Sequence, residues 1–295
     1  MKALLCTRLG GPDDLSLEDI AEPVPGPGEA VVRITLAALN FFDTLIIAGR
    51  YQVKPELPFS PGGEAAGVVE ALGPDTKGVS VGDRVIVHQK FGTCRERIAV
   101  STRHLTPIPD AVSDEQAAGL TITYGTSLHA LRDRAKLQPG ETLAVLGASG
   151  GVGLAAVELG AIMGARVIAC ASSPEKLRVA EAHGATMSVD YAEPALRSLG
   201  WKGRYLVVGF AAGDIPRIPL NLALLKGIDI QGVHWGVFVD REPEAHAQNQ
   251  RQLLAWVAEG RLTAKVHGVY PLADYAEALG ILKRREAVGK VLLRM

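Results

Sequence analysis

The run with the clearest chemical content is Gly147 to Ala156, GASGGVGLAA. The apolar stretch Leu143 to Gly147 that leads into it reads as a strand, and the residues after it read as the start of a helix. Gly151, Gly153 and Ala156 fit the pattern G-x-G-x-x-[GA]. The first small residue permits a tight turn, the second lets backbone N–H groups approach a pyrophosphate, and the third allows close packing of helix on strand. A helix N-terminus then faces the anion. The spacing therefore points to dinucleotide binding, with a mere packing turn as the alternative.

A second strand, Arg166–Cys170, follows about twenty residues later, where an acidic residue usually holds a ribose 2′-hydroxyl. Here the strand runs into Ala171, Ser172 and Ser173, followed by Lys176 and Arg178, with no carboxylate. Small hydroxyls beside a cation suit a 2′-phosphate, which favours NADP(H) over NAD(H). Ser172 and Ser173 would equally serve to cap a helix opening at Pro174.

These residues need a scaffold, and composition bounds it. The 295 residues suffice for two domains; 47% are hydrophobic, enough to bury a sizeable core. With 31 Lys plus Arg against 32 Asp plus Glu, the net charge of −1 argues against nucleic acid as a main partner. Cys6, Cys94 and Cys170 lie far apart, which argues against a disulfide framework and against a local metal motif. The apolar run near the N-terminus ends at Thr7 and Arg8, too short for a secretory signal, and the uncharged stretch Thr142 to Val157 falls short of a membrane span. The expectation is a cytoplasmic globular protein without a membrane segment.

The first hundred residues are punctuated by Gly and Pro, with strands expected at Lys2–Thr7, Ala30–Leu36, Gly67–Ala71 and Arg84–His88: a small, mostly antiparallel domain. At Ser113 to Gln116 a capping box opens the helical part. Beyond residue 140, strands alternate with amphipathic helices: a helix to about Met163, another from Pro174 to His183, strands at Met187–Asp190, Tyr205–Gly209 and Ile228–Val233, and a helix at Gln248–Glu259. Such alternation implies parallel strands with helical crossovers. His267–Tyr270 and Lys290–Leu293 read as strands returning to the first domain.

The order of these parts resembles the zinc-free quinone reductase branch of the medium-chain dehydrogenase/reductase superfamily. The resemblance covers nearly the whole chain. It is carried by Ala38 to Asp43 (ALNFFD), Pro61 to Gly67 (PGGEAAG), Gly82 to Val85 (GDRV), Thr123 to Thr126 (TYGT), the glycine turn, Ser172 to Leu177 (SSPEKL), Gly203 to Tyr205 (GRY) and Val288 to Val291 (VGKV). It implies a GroES-like domain over 1–115, completed by 265–295, and an NADP-binding, Rossmann-like doubly wound sheet over 116–264. It implies further that Gly150, Gly151 and Val152 bind the pyrophosphate of NADPH, that Ser172, Lys176 and Tyr191 bind its 2′-phosphate, and that Thr126, Phe210 and Lys290 lie near the nicotinamide.

Asn40, Asp43 and Tyr51 would face the substrate, Tyr51 as a hydrogen-bond donor to the oxygen that becomes anionic. The plainer roles are a helix cap for Asn40 and Asp43 and a half-buried surface aromatic for Tyr51. Trp235 would lie near the nicotinamide or serve as a core aromatic, and no histidine shows the spacing of a ligand. Where zinc-containing relatives have a Cys ligand and a Gly-His-Glu, this chain has the Asn40–Asp43 segment and Gly62-Gly63-Glu64, so no zinc is expected. Without that Lewis acid, hydride transfer to a quinone or conjugated enone is favoured over alcohol chemistry. A homodimer is expected by the same resemblance.

The pattern departs in one place. Between Asp190-Tyr191 and Ala192 to Leu196 (AEPAL) the family would place another helix and strand, and about one βα unit is missing. Arg204–Gly209 is expected to take the vacated place and give a five-stranded sheet. Loss of that unit opens a second reading, a folded nucleotide-binding or structural protein with feeble turnover.

Overall fold

The computed structural model describes residues 1–190, 195–210, 215 and 217–295, with the side chains of Asp190 and Ala195 left out of the account. Its elements begin with β1 (Lys2–Cys6), β2 (Leu15–Asp19), β3 (Glu29–Leu39), α1 (Phe41–Ile47), β4 (Glu64–Leu72), β5 (Arg84–His88), β6 (Arg97–Ser101), β7 (Leu105–Pro107) and α2 (Asp114–Ala118). There follow α3 (Thr121–Leu128), β8 (Thr142–Leu146), α4 (Gly151–Ile162), β9 (Arg166–Ala171), α5 (Pro174–Ala182), β10 (Met187–Asp190), α6 (Ala195–Ser198), β11 (Arg204–Val207), α7 (Asn221–Lys226) and β12 (Asp229–Gly232). The chain continues with α8 (Trp235–Arg241), α9 (Pro243–Ala258), β13 (Val266–Pro271), α10 (Tyr275–Lys283) and β14 (Lys290–Arg294). It divides into two compact units, Met1–Ile122 with Gln250–Met295, and Thr123–Asn249.

In the first unit the sheet runs β13-β14-β3-β4-β5-β7, with β6 also paired to β3. All these pairs are antiparallel except β13 with β14. The long β3 is the hub, and its alternating buried residues Ala30, Val32 and Ile34 supply the core that β-branched and small side chains favour on a pleated surface. Leu4, Ile46, Val69, Val85, Leu279 and Leu293 close on it from the surrounding elements. At Ser113 the capping box forms as its residue types require: the side chain accepts from the Gln116 N–H at 3.2 Å, and Gln116 accepts from the Ser113 N–H at 3.2 Å.

In the second unit β10, β9 and β8 form a parallel sheet, and β11 pairs in parallel with β12. The expected five-stranded sheet is corrected here. Among the described residues β11 makes no ladder with β8; the two stretches are linked instead through Arg204, whose guanidinium meets Glu141 at 2.5 Å and the Ala135 carbonyl at 2.6 Å. A four-residue helix, α6, is the only regular element described between β10 and β11, and it is too short for the helical crossover that seats a parallel strand. Among the described residues β8 therefore has no strand paired on its second edge, and Leu146 at its end is 43% exposed.

Candidate active site

The glycine turn is built as its sequence dictates. Gly147, directly after β8, has φ +68°, a left-handed backbone that a side chain would strain, and its carbonyl accepts from the Gly150 N–H at 3.1 Å. Gly150 then caps α4 from an extended conformation. Gly153 lies so close that a Cβ there would stand 2.1 Å from the Gly147 carbonyl oxygen. This is a close approach of helix to strand, the role that the spacing assigned to Ala156, and it leaves the N–H groups of Gly151 and Val152 at the free end of a 12-residue helix. The turn is braced from α3: Ser127 Oγ donates to the Val152 carbonyl at 2.8 Å, and Tyr124 Oη donates to the buried Glu158 carboxylate at 2.6 Å. Thr126, buried beside Ser127, sits on that same brace.

Strands β8 and β9 are parallel, with Leu146 opposite Cys170, so both carboxyl ends emerge side by side. The structure thereby brings the Gly150–Val152 turn and the Ser172–Lys176 segment to one end of the sheet. Ser172 is exposed, Lys176 is half-buried, and Ser173 caps α5 by accepting from the Lys176 N–H at 3.3 Å. The cap reading and the anion reading therefore fall on neighbouring serines. Phe210 is 45% exposed at the end of a described stretch, and Tyr191 lies outside the described residues. Trp235 opens α8 and is buried, with its indole against the Cα of Gly125, where a Cβ would meet Nε1 at 3.0 Å. His129 is buried too, in a π-helical turn, with Nδ1 3.0 Å from Asp133 and its ring stacked on Phe238.

In the first unit the structure joins three side chains remote in sequence. Lys290 Nζ donates to Asn40 Oδ1 at 2.6 Å and to Glu64 Oε1 at 2.7 Å, and Asn40 Nδ2 donates to Glu64 Oε1 at 3.0 Å. Glu64 Oε2 accepts from the Ile122 N–H at 2.8 Å. All three are buried, which such charges tolerate only when paired and hydrogen-bonded. Glu64 is the member that sequence reading passed over, although a lone acid among Gly62, Gly63, Ala65 and Ala66 is a signal of a buried pair.

Asp43 lies below this group with no exposed surface, so the expectation that it faces substrate is corrected. Its Oδ2 accepts from the Asn40 N–H at 2.7 Å, which caps α1, and its Oδ1 accepts from the Gly62 N–H at 3.1 Å. A carboxylate so engaged is a brace. Burial pushes its pKa up to about 7, against the two backbone N–H groups and the Lys290 charge, which pull it down. Tyr51 is half-buried and stacked on Phe42, ring centroids 5.5 Å apart, and Phe42 in turn leans on Gly63. Burial and the nearby Asp43 raise the Tyr51 pKa, so its phenol keeps its proton as a donor.

Among the described residues no three His, Cys, Asp or Glu side chains stand together to share a metal, and both Glu64 oxygens are taken. Cys94 is fully buried, with its thiol pushed well above the usual range by desolvation.

An antiparallel GroES-like domain joined in one chain to a parallel-stranded, Rossmann-like unit with a glycine turn is the fold of the medium-chain dehydrogenase/reductase class. Comparison with known proteins agrees. Residues 26–124 match the alcohol dehydrogenase GroES-like domain, and residues 178–293 match the family model described as zinc-binding dehydrogenase. Quinone oxidoreductase-like protein 2 of Rattus norvegicus is 34% identical over 324 residues, covering 100% of this chain and 92% of the relative. That alignment is longer than the 295 residues here, so the relative carries residues that this chain lacks. The quinone oxidoreductase of Pseudomonas aeruginosa is 30% identical, covering 99% of each. Among solved structures, Escherichia coli quinone oxidoreductase complexed with NADPH superposes with a TM-score of 0.91 at 25% identity, over 100% of both chains. A mycobacterial protein complexed with NADPH gives 0.92 at 28%, again over 100% of both. The chain belongs to the quinone oxidoreductase family of the medium-chain dehydrogenase/reductase superfamily, and it is an oxidoreductase. Among the described residues, no helix is long and apolar enough to cross a membrane.

Proposed function

We propose that this chain is an NADPH-dependent, zinc-independent oxidoreductase that reduces a quinone or a related conjugated carbonyl. The observation that carries the reading is the buried Lys290 ammonium, 2.7 Å from Glu64 and 2.6 Å from Asn40, a fixed cation belonging to the chain itself. The cofactor fits the second unit, because the contact at Gly153 holds the α4 N-terminus against the end of β8 and leaves backbone donors for an anion. Gly150, Gly151 and Val152 would hold the pyrophosphate, and Ser172 and Lys176 the 2′-phosphate. Bound NADPH supplies a hydride. One proton from solvent or from Tyr51 completes the reduction, so that a quinone gains two electrons and two hydrogens and leaves as the hydroquinone. Asn40 and Tyr51 would hold the acceptor oxygen as it gains charge.

The exposed Leu224 and Leu225 on α7, 83% and 67% accessible, support a homodimer, which light scattering on the purified protein tests. The reaction is tested by following NADPH absorbance at 340 nm with a quinone, an enone and a simple aldehyde, with and without a chelator. Quinone- or enone-dependent oxidation that survives chelation and runs faster with NADPH than NADH is expected. Calorimetric binding of NADPH with no turnover would instead favour the second reading, a nucleotide-binding protein, which the lack of a ladder between β8 and β11 among the described residues supports.

A further inference from the structure

We infer that Glu64 and Lys290 are positioning residues that lock the Asn40 amide in one orientation, so that Asn40 meets its substrate as a hydrogen-bond donor to a carbonyl oxygen. The inference rests on the functional reading above and names the substrate chemistry of that site.

A carboxamide presents two similar ends, and which end faces a ligand is decided by its fixed neighbours. Here both neighbours have a single polarity. Lys290 has only donors, and it stands 2.6 Å from one end, which must be oxygen. The ionised Glu64 has only acceptors, and it stands 3.0 Å from the other end, which must be nitrogen. A flipped amide would set N–H groups against the ammonium and oxygen against the carboxylate.

The neighbours are themselves held. Glu64 Oε2 is pinned by the Ile122 N–H at 2.8 Å, and Oε1 is shared by Lys290 and Asn40. The Lys290 stem lies flat on the backbone of Gly119, where a Cβ would come within 2.7 Å of Cγ, so the missing side chain at residue 119 is what lets the ammonium reach across. The Asn40 backbone is fixed by Asp43 at the start of α1.

What remains of Asn40 is its second Nδ2 hydrogen. Asn40 also keeps more exposure than its partners, 6% against 0% for Glu64 and 3% for Lys290. A donor fixed beside a buried cation suits an oxygen that becomes negative when hydride arrives elsewhere in the conjugated system. A quinone or enone carbonyl is such an oxygen. A substrate that had to donate a hydroxyl hydrogen at this point would find the amide oxygen already facing the ammonium.

The test is Asn40→Asp, near in shape but without the donor when ionised, with Asn40→Ser, which retains a hydroxyl donor, as the second variant. Steady-state kinetics with a quinone from pH 5.5 to 8.5 are measured beside NADPH affinity by fluorescence. At pH 8 the Asp variant is expected to lose about a hundredfold in kcat, with NADPH affinity within about twofold of the parent. Its activity should rise as pH falls and the new carboxyl regains a proton to donate, beyond the change that Asp43, with a pKa pushed up to about 7, gives the parent measured alongside, and the Ser variant should retain more activity than Asp at pH 8. Glu64→Gln, which removes the polarity of one neighbour, should lower kcat while leaving NADPH affinity in place. An active parent with an equally active Asp variant overturns this inference alone, as does a loss confined to NADPH affinity. Absence of turnover in the parent overturns the functional reading, and this inference with it.

Discussion

Replacing Gly153 by alanine should damage the second unit far more than the same change three residues earlier. The Cβ built at residue 153 lies 2.1 Å from the Gly147 oxygen, 2.8 Å from its carbonyl carbon and 3.1 Å from the Ala148 Cα. Each of these is backbone, so no side chain can swing aside, and ordinary contact at 3.4 Å requires the helix to withdraw by more than an ångström. The carbonyl it would strike also closes the turn through the Gly150 N–H. Overpacking of this kind costs about 3 kcal/mol, and the better helix propensity of alanine returns about 1 kcal/mol. The net loss is about 2 kcal/mol. Gly150→Ala is the control, since its Cβ meets nothing nearer than 3.6 Å and its φ of −74° suits any residue; at an N-cap the change costs at most about 1 kcal/mol. Urea unfolding of the two variants without cofactor measures the difference, and NADPH titration should show a tenfold or greater loss for Gly153→Ala as the helix N-terminus moves away from the anion. Equal unfolding midpoints, or parental NADPH affinity in Gly153→Ala, would refute the account of the turn.

Four other outcomes follow from the same geometry. Lys290→Met strands the fully buried Glu64 charge and should cost about 3–5 kcal/mol, whereas the double variant Glu64→Gln with Lys290→Met should recover most of it, as read from thermal melts. Burial pushes the Asp43 pKa up to about 7 from an ordinary 3.8, so the unfolded chain releases this proton first as pH rises; the contribution of Asp43 to stability should be complete below pH 4 and fall by roughly 4 kcal/mol on the way to pH 7, against the opposite trend of carboxyls such as Asp133 and Glu141, whose pKa values are lowered. Asp43→Asn should remove that falling contribution from the unfolding midpoints across the range, and an unchanged slope would assign the pH dependence to other groups. Tyr124→Phe removes the 2.6 Å hydrogen bond to Glu158 and should cost about 1.5–3 kcal/mol by urea denaturation, more than a neutral pair would lose. Lys176→Ala should weaken NADPH binding about tenfold and leave NADH unchanged, as expected if its charge meets a 2′-phosphate; equal loss for both cofactors would argue against that role.

Much of this protein is written locally. Gly147 to Ala156, the capping box at Ser113 and the strand Arg84–His88 could be read directly, because a left-handed turn, a cap and a two-residue alternation each depend on near neighbours in the chain. The helix Tyr275–Lys283 and the strand Arg97–Ser101 were passed over, although Asp274 and Glu277 have the residue types of a helix start and Arg97 to Ser101 alternates in burial. The site was legible only in part. Asn40 and Lys290 could be singled out, but their joint burial with Glu64 depends on contacts 24 and 226 residues apart, which no spacing rule encodes. The same holds for Asp43, whose type and position suit a substrate-facing acid and a helix brace alike; only the closure of the backbone N–H groups of Asn40 and Gly62 around it decides between them. That Arg204–Val207 joins β12 and stays off β8 is likewise a tertiary outcome, since ladder pairing is set by where a strand is delivered and the stretch before it is too short for a full crossover. The sequence by itself determined the elements and the nucleotide turn; tertiary structure decided which buried charges meet, because hydrogen bonds between distant residues exist only after the sheets have closed.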